Sequence, residues 1–371
     1  MKKVKLIFFH PYSFGGGSDN SLYRLIKKLN KKIYDIDFIS LNKSILNNKI
    51  TDINFIKLNS SRTILSIFEI RKILKKYQKK NKYKKIIMIS NQNFANLVAI
   101  FSKYKLSFIK LITVDRNHID ELYFFKNYLD FIKKKTILIL MKFFYKKADV
   151  RIGISKKLSK DLSKHVKSKI NTVYSPSYDK SIIELAKKQN VKLKKNEKFF
   201  ICVSRFSKRK DHNTLLAAFS MVKNKKKFKL ILVGFGPEEQ NIKLLIKKYN
   251  LQNEVLMIKN LHNPFWLIKK SSLLIVTSVY EGFPNVIVEA LTLGTPVIST
   301  NMNAGASEIL LNGRGGDLVK VGDVLNLSKK ITHFIANPSK LKNKMLIARK
   351  NLFRFDVELH HKIYNKIFNN V

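Results

Sequence analysis

The sequence predicts an α/β protein built from two doubly wound parallel sheets, on three observations. Short apolar runs alternate with amphipathic segments almost from end to end, the pattern of βαβ units. The chain has 371 residues, beyond the roughly 250 to 300 that one hydrophobic core supports. The alternation stops at a polar stretch near the middle and then starts again.

In the first half the runs VKLIFF, DIDFIS, INFIKL, KIIMIS, FIKLITV, VRIGIS and NTVY read as strands, with helical stretches between most of them. YSPSYD at 174–179 supplies proline and small polar residues, and the lysine-rich VKLKKNEK follows a helix expected at 181–188. The expected domains are 1–178 and 179–352, with 353–371 a terminal helix free to pack back on the first domain. In the second half FFICVS, KLILVG, EVLMI, LLIVTS, PVIST and DLVK repeat the pattern. Two sheets of this kind would place a cleft between them, with ligands held beyond the carboxyl ends of the strands.

Composition narrows the function. The lone Cys202 sits in an apolar run, so neither a disulfide framework nor a multi-cysteine metal site is expected, and a reducing cytoplasm fits. The opening MKKVKLIFFHPY resembles a signal peptide, but its apolar run ends at Phe9; it reads as a first strand. The apolar run from Thr136 is broken by Lys142, short of the ~20 residues a spanning helix needs. A net charge of +48 suggests a polyanionic partner. Only ten of the 73 basic residues are arginine, however, and lysine is spread throughout with abundant Ile and Asn, as in an AT-rich coding sequence filling solvated helix faces. A nucleic-acid-binding protein would need an aromatic sheet face or a recognition helix. Neither is present in the pattern, and no nucleic acid partner is expected.

The most specific stretch is VYEGFPNVIVEALTLGTPVIST at 279–300. LLIVTS reads as a strand and 285–293 as a helix, so Tyr280 to Pro284 is the turn between them. Pro284 forces a stop, Asn285 is expected to cap the new helix, and the amides of Val286 and Ile287 are expected to face a ligand. A helix start of this kind attracts phosphate. Glu281 and Glu289 are expected on the same side of that anion site, one at its mouth and one deeper, and carboxylates beside a diphosphate are tolerable if they accept hydrogen bonds from hydroxyl groups such as those of a sugar and a ribose.

With EGFPNVIVE, its continuation ALTLGTPVIST and the later GGDLVKVGD, the chain resembles the retaining glycosyltransferases of family 4, which have the GT-B fold of two facing Rossmann-like domains. The resemblance is continuous over about 199–323 and looser before that. It implies that Glu281 contacts donor-sugar hydroxyls near the reacting carbon, that Glu289 holds the ribose hydroxyls, and that Gly282, Phe283, Pro284 and Asn285 meet the sugar and diphosphate. In VSRFSKRKD the family's arginine and lysine fall on Arg205 and Lys210, beside Asp211; both cations can neutralise a departing diphosphate without a metal ion. VGFGPEE fails the dinucleotide fingerprint at Glu239; by resemblance Gly234 lies in a tight turn under the nucleotide. Ile258 belongs to the loop around the base, where Lys259 replaces a glycine often found there.

In the first half the glycines Gly15, Gly16 and Gly17 of HPYSFGGGSDN stand between the first strand and a helix expected near Asp19, and can let the backbone approach a ligand. In DRNHIDEL, His118 occupies the position where the family often has a histidine beside the donor sugar, with Arg116 a second candidate. From Ile119 to Lys147 aromatics interleave with lysines, which suits either a surface helix in an anionic membrane interface or the buried face of one or two long helices.

The expected function is transfer of a hexose or N-acetylhexosamine from a nucleotide-diphosphate sugar, UDP-linked, to a growing envelope glycan such as lipopolysaccharide on a lipid carrier. Retention, no metal and no cofactor beyond this co-substrate are expected, with cleft closure excluding water. The expected location is cytoplasmic, peripheral on the inner face of the membrane. The rival readings are a GT-B epimerase or inverting transferase, against which the paired glutamates argue, and a basic nucleic-acid-binding protein.

Overall fold

The computed structural model describes every residue except 1, 14–15, 45, 47–49, 80–81, 190–196, 224, 260, 262 and 304, and of Lys226 only the backbone. The expectation for Gly15 and most of the expected linker VKLKKNEK lie outside the described residues.

Contacts divide the chain into two compact units, Met1–Pro176 with Val357–Val371, and Ser177–Asp356. The divisions fall after 176 and 356 where 178 and 352 were expected. Tyr178 explains the difference, because its N–H donates to the Phe355 carbonyl at 2.9 Å and ties these two segments together.

The first unit holds β1 (Val4–Phe9), β2 (Tyr34–Ser40), β3 (Asn54–Lys57), β4 (Lys85–Asn91), β5 (Ile109–Asp115), β6 (Val150–Gly153) and β7 (Asn171–Thr172). Among the described residues these form one parallel sheet in the order β3-β2-β1-β4-β5-β6-β7. Its interior strand β1 is covered on both faces: Leu6, Ile7, Phe8 and Phe9 are all fully buried, as the continuous apolar run VKLIFF requires. The Val357–Asn370 helix belongs to this unit; its Phe368 ring meets Tyr34 edge-on at 5.8 Å, and Glu358 pairs with Lys28.

The second unit holds β8 (Phe199–Val203), β9 (Lys229–Val233), β10 (Val255–Ile258), β11 (Leu273–Val276), β12 (Val297–Thr300) and β13 (Asp317–Val319). They form a parallel sheet in the order β10-β9-β8-β11-β12-β13. Each expected strand run overlaps an observed strand, although NTVY shortens to Asn171–Thr172, and the helix expected at 181–188 to Ser181–Leu185.

In both sheets the strand order reverses beside the first strand, between β1 and β4 and between β8 and β11. At such a reversal the loops leaving the two carboxyl ends go to opposite faces and open a crevice. The residues that follow β1 and β4 in one unit, and β8 and β11 in the other, therefore hold the positions where a ligand can reach the backbone.

At the end of β5, Asp115 is buried and accepts a hydrogen bond from the Tyr145 hydroxyl at 2.9 Å. Burial pushes its pKa up to about 7, against a smaller opposing effect of Tyr145 and Asn96. The folded state then holds a proton that the unfolded chain releases above its ordinary pKa of 3.8. Stability is full at acid pH and falls as pH rises through about 7. Relative to Asp115→Asn, the native chain is expected to lose on the order of 2–4 kcal/mol between pH 4.5 and 8, as read from urea unfolding at each pH. A gap that does not change with pH would contradict this.

Candidate active site

The second unit's reversal point is built from two loops. One runs from Ser204 to Asp211 after β8, the other from Thr277 to Pro284 after β11. Because β8 and β11 are adjacent, with Phe200 paired to Leu273, these loops leave the sheet side by side. Backbone and side chain then tie them together: Val279 N–H donates to Arg209 O at 2.8 Å, and Thr277 Oγ1 to Lys210 O at 2.9 Å. Thr300, at the end of β12, fixes the second loop from its other side by donating to Ser278 O at 2.7 Å.

The tie with chemical content is between Lys210 and Glu281. Lys210 Nζ donates to Glu281 Oε1, and the Ser278 hydroxyl donates to the same oxygen at 3.1 Å. Glu281 is buried. Burial alone would raise its pKa; the charges of Lys210 and Arg209, with the hydrogen bonds from Lys210 and Ser278, outweigh that and hold it below the ordinary glutamate value. A buried carboxylate that needs neighbouring cations to stay ionised is a costly arrangement for folding alone.

Asp211 sets the geometry of Lys210. It adopts a left-handed conformation (φ 46°) and caps the His212–Ser220 helix, accepting from Thr214 N–H at 3.1 Å and the Thr214 hydroxyl at 2.6 Å. His212 is buried behind it, bonded to Ser204 Oγ at 3.1 Å, and burial with the Lys210 charge lowers its pKa to about 4, so it is neutral. Arg205 projects from the same loop and is exposed.

The turn GFPN departs from expectation in its detail. Asn285 is the first residue of the Asn285–Leu293 helix and Pro284 its cap; the Asn285 side chain instead accepts the Ser177 hydroxyl. The expected Ile287 amide donor is also spent, since it donates to Pro284 O at 3.0 Å. Gly282, Phe283 and Pro284 are buried. Gly305 packs against them so closely that a Cβ there would lie 2.6 Å from Pro284 Cδ and 3.0 Å from Phe283 Cα. Glu289 is half-buried, a little over one turn into the nine-residue Asn285–Leu293 helix.

The loop after β9 presses on the loop after β8. Gly234 has φ +156°, its N–H donates to Ile258 O at 3.0 Å at the end of β10, and a Cβ would lie 1.9 Å from Ser204 O. Gly236 is under the same constraint against Phe206 O at 2.3 Å, a requirement the fingerprint comparison missed. These glycines shape the floor beneath Arg205 rather than a dinucleotide site.

In the first unit, the Gly17–Lys28 helix starts two residues earlier than expected. Gly16 N–H donates to Asp19 Oδ2 at 3.0 Å, and a Cβ on Gly16 (φ −78°) would meet nothing within 4 Å, so the fold itself does not demand glycine there. His118 is buried, with both ring nitrogens engaged: Nε2 meets Asp161 Oδ2 at 3.1 Å and Nδ1 accepts from Asp120 N–H at 3.3 Å. In this arrangement it ties the Ile119–Tyr123 turn to the Lys156–Val166 helix and offers no free nitrogen to a sugar. Arg116 is the more unusual group. It is buried, donates through Nε to Asn91 Oδ1 at 2.9 Å, and burial lowers its pKa while Tyr364 and Asp19 oppose that. Among the described residues no cluster of three His, Cys, Asp or Glu side chains is arranged to hold a metal ion.

Two Rossmann-like units with reversed strand orders and a buried Glu–Lys pair at a switch point define a protein of the GT-B class. Residues 184–351 match the family Glycosyl transferases group 1. An uncharacterised glycosyltransferase of Methanocaldococcus jannaschii is 33% identical over 193 residues, 50% of this chain and 48% of that protein. The Campylobacter jejuni N-acetylgalactosamine-N,N'-diacetylbacillosaminyl-diphospho-undecaprenol 4-alpha-N-acetylgalactosaminyltransferase is 28% identical over 232 residues, 62% of this chain and 61% of that protein. The chain thus spans about half to three-fifths of the length of these curated relatives. Anabaena HepE in complex with UDP and glucose shares the fold with a TM-score of 0.78 at 18% identity, covering 99% of this chain and all of that one.

Removing one partner of a buried pair strands the other's charge. Lys210→Met is expected to cost about 3 kcal/mol at pH 8 by urea unfolding, whereas Arg205→Ala, at an exposed position, stays within about 0.5 kcal/mol of the native chain. Without its ammonium Glu281 titrates upward, so the Lys210→Met deficit should shrink as pH falls toward 5. Equal costs for the two variants would contradict the pairing.

Proposed function

We propose that the chain is a retaining glycosyltransferase. It moves a hexose or N-acetylhexosamine from a nucleotide-diphosphate sugar, UDP-linked, to a growing cell-envelope glycan on a lipid carrier. The observation that carries this reading is the buried Glu281–Lys210 pair at the reversal point of a group 1 domain. HepE's complex with UDP and glucose supports a UDP donor, and the name of the C. jejuni relative, with its diphospho-undecaprenol substrate, supports a lipid carrier.

Both bonds from Lys210 and Ser278 fall on Glu281 Oε1, and we assign Oε2 to a donor-sugar hydroxyl. An ammonium has three donors, so Lys210 can hold Glu281 and still meet a phosphate oxygen. Arg205 adds a second, exposed cation able to grip phosphate with two parallel hydrogen bonds. In the transfer, the bond from the anomeric carbon to the β-phosphate oxygen breaks as an acceptor hydroxyl oxygen bonds that carbon on the same face. The acceptor proton passes to the departing phosphate oxygen, and no side chain needs to become a nucleophile. Charge builds on the leaving diphosphate, where Arg205 and Lys210 stabilise it without a metal ion. Glu289 is assigned to the ribose hydroxyls, and the Gly16–Gly17 and Gly282–Asn285 backbones to the donor. His118 is given no direct contact with the sugar.

Calorimetric titration with UDP-, GDP- and ADP-sugars in EDTA tests the reading. One nucleotide class is expected to bind, with Glu289→Ala weakening it about tenfold to a hundredfold through loss of a charge-assisted hydrogen bond. No binding of any of the three at millimolar concentration overturns it.

A further inference from the structure

The Tyr128–Phe144 helix is apolar on two opposite sides. Ile137, Leu138 and Met141 lie on one and are buried in the first unit. Tyr128, Ile132, Ile139 and Phe143 recur along the other at the spacing of the helical turn, with Leu129 beside them, and all are exposed: Tyr128 by 74%, Leu129 by 76%, Ile139 by 57% and Phe143 by 59%. A helix packed on one side needs only one apolar stripe. The second has no use in the fold.

The turn before the helix extends this stripe. Tyr123, Phe124 and Phe125 are exposed, and Phe131 joins them, its ring 4.9 Å edge-on from Phe125 and 6.2 Å stacked with Tyr128. Lysines line the flanks with their ammonium groups over aromatic rings: Lys135 lies 5.7 Å from both Tyr123 and Phe131, and Lys133 5.6 Å from Phe94. Between 119 and 147 stand seven lysines (126, 133, 134, 135, 142, 146 and 147) against three acids, Asp120, Glu121 and Asp130. Scattered exposed apolar residues are ordinary, but a continuous row edged with cations is not.

The occupant has to be apolar and anionic together. A second copy of the chain would bring +48 against +48, and a polynucleotide supplies charge without an apolar face. An anionic lipid surface supplies both, with lysine stems lying along the apolar region and their ammonium groups at the headgroups. Among the described residues no helix is long and apolar enough to cross a membrane, so the segment would lie in the interface plane. We propose that the face formed by Tyr123–Phe125, Tyr128, Leu129, Ile132, Ile139 and Phe143 docks the first unit on an anionic bilayer. This does not rest on the transferase reading, because docking is measured without any sugar nucleotide.

Flotation of the whole chain with vesicles of phosphatidylglycerol and phosphatidylcholine tests it. The chain is expected to float with these vesicles and to remain behind with phosphatidylcholine alone. The double variant Ile139→Gln and Phe143→Gln, which changes only exposed side chains, is expected to lower the partition coefficient about tenfold or more. Phe353→Gln, an exposed aromatic in the second unit, should leave it unchanged. Thermal unfolding checks that each variant is folded. Three outcomes overturn the proposal: no flotation with anionic vesicles, equal flotation of the folded double variant and the native chain, or concentration-dependent dimers in sedimentation that the double variant abolishes.

Discussion

The constraint on which the site depends is the reversal of strand order beside β8. The chain lays β8, β9 and β10 outward in one direction and returns to β8's other side to place β11, β12 and β13; because crossovers in a parallel sheet are right-handed, the two halves send their helices to opposite faces. The loops that follow β8 and β11 are about 70 residues apart in sequence and adjacent in space, and the Val279–Arg209 and Thr277–Lys210 bonds hold them in register. Only then can Lys210 reach Glu281. The first unit repeats the reversal at β1 and β4, and beside it the pairing of β4 with β5 brings Asn91 to the buried Arg116.

A single ion pair gives that arrangement its chemistry. Glu281 is buried yet held ionised, which is expensive unless every lone pair is used. Lys210 and Ser278 satisfy one oxygen, while the capping of the next helix by Asp211 fixes the residue that carries the ammonium. Gly234 and Gly236 let the neighbouring loop lie against the Ser204–Phe206 backbone, where any side chain would collide with a carbonyl oxygen. Local strain, capping and charge thus converge on one corner of the second unit, the kind of site where such costs are retained for function.

Much of this was legible in the sequence. Period and run length located the strands because a central parallel strand is apolar on both faces and short, and VKLIFF or FFICV fits little else. EGFPNVIVE was legible because glycine, proline and paired acids are rare in so lysine-rich a chain. What sequence could not give was the partner of each charged group. Lys210 was read as a phosphate ligand alone, and its bond to Glu281 spans the long excursion through β9 and β10. His118 stood at a suggestive position, yet Asp161 and the Asp120 amide take its nitrogens. Asn285 looked like a cap because caps are read by residue type, but the dihedral break falls at Pro284. Arg116 gave too weak a signal, since burial of an arginine has no pattern in a linear sequence. The spacing of Gly234 and Gly236 could have revealed both tight contacts, had the pair been read as steric constraint instead of a failed cofactor motif.

The most direct measurement is amide hydrogen exchange by mass spectrometry with and without saturating UDP. Slower exchange confined to Ser204–Asp211 and Val279–Val288 in the second unit, with smaller changes at Gly234 and Ile258, is the expected result. No protection there, or protection centred on a segment away from the carboxyl ends of β8 and β11, would contradict the placement of the nucleotide at the Glu281–Lys210 corner.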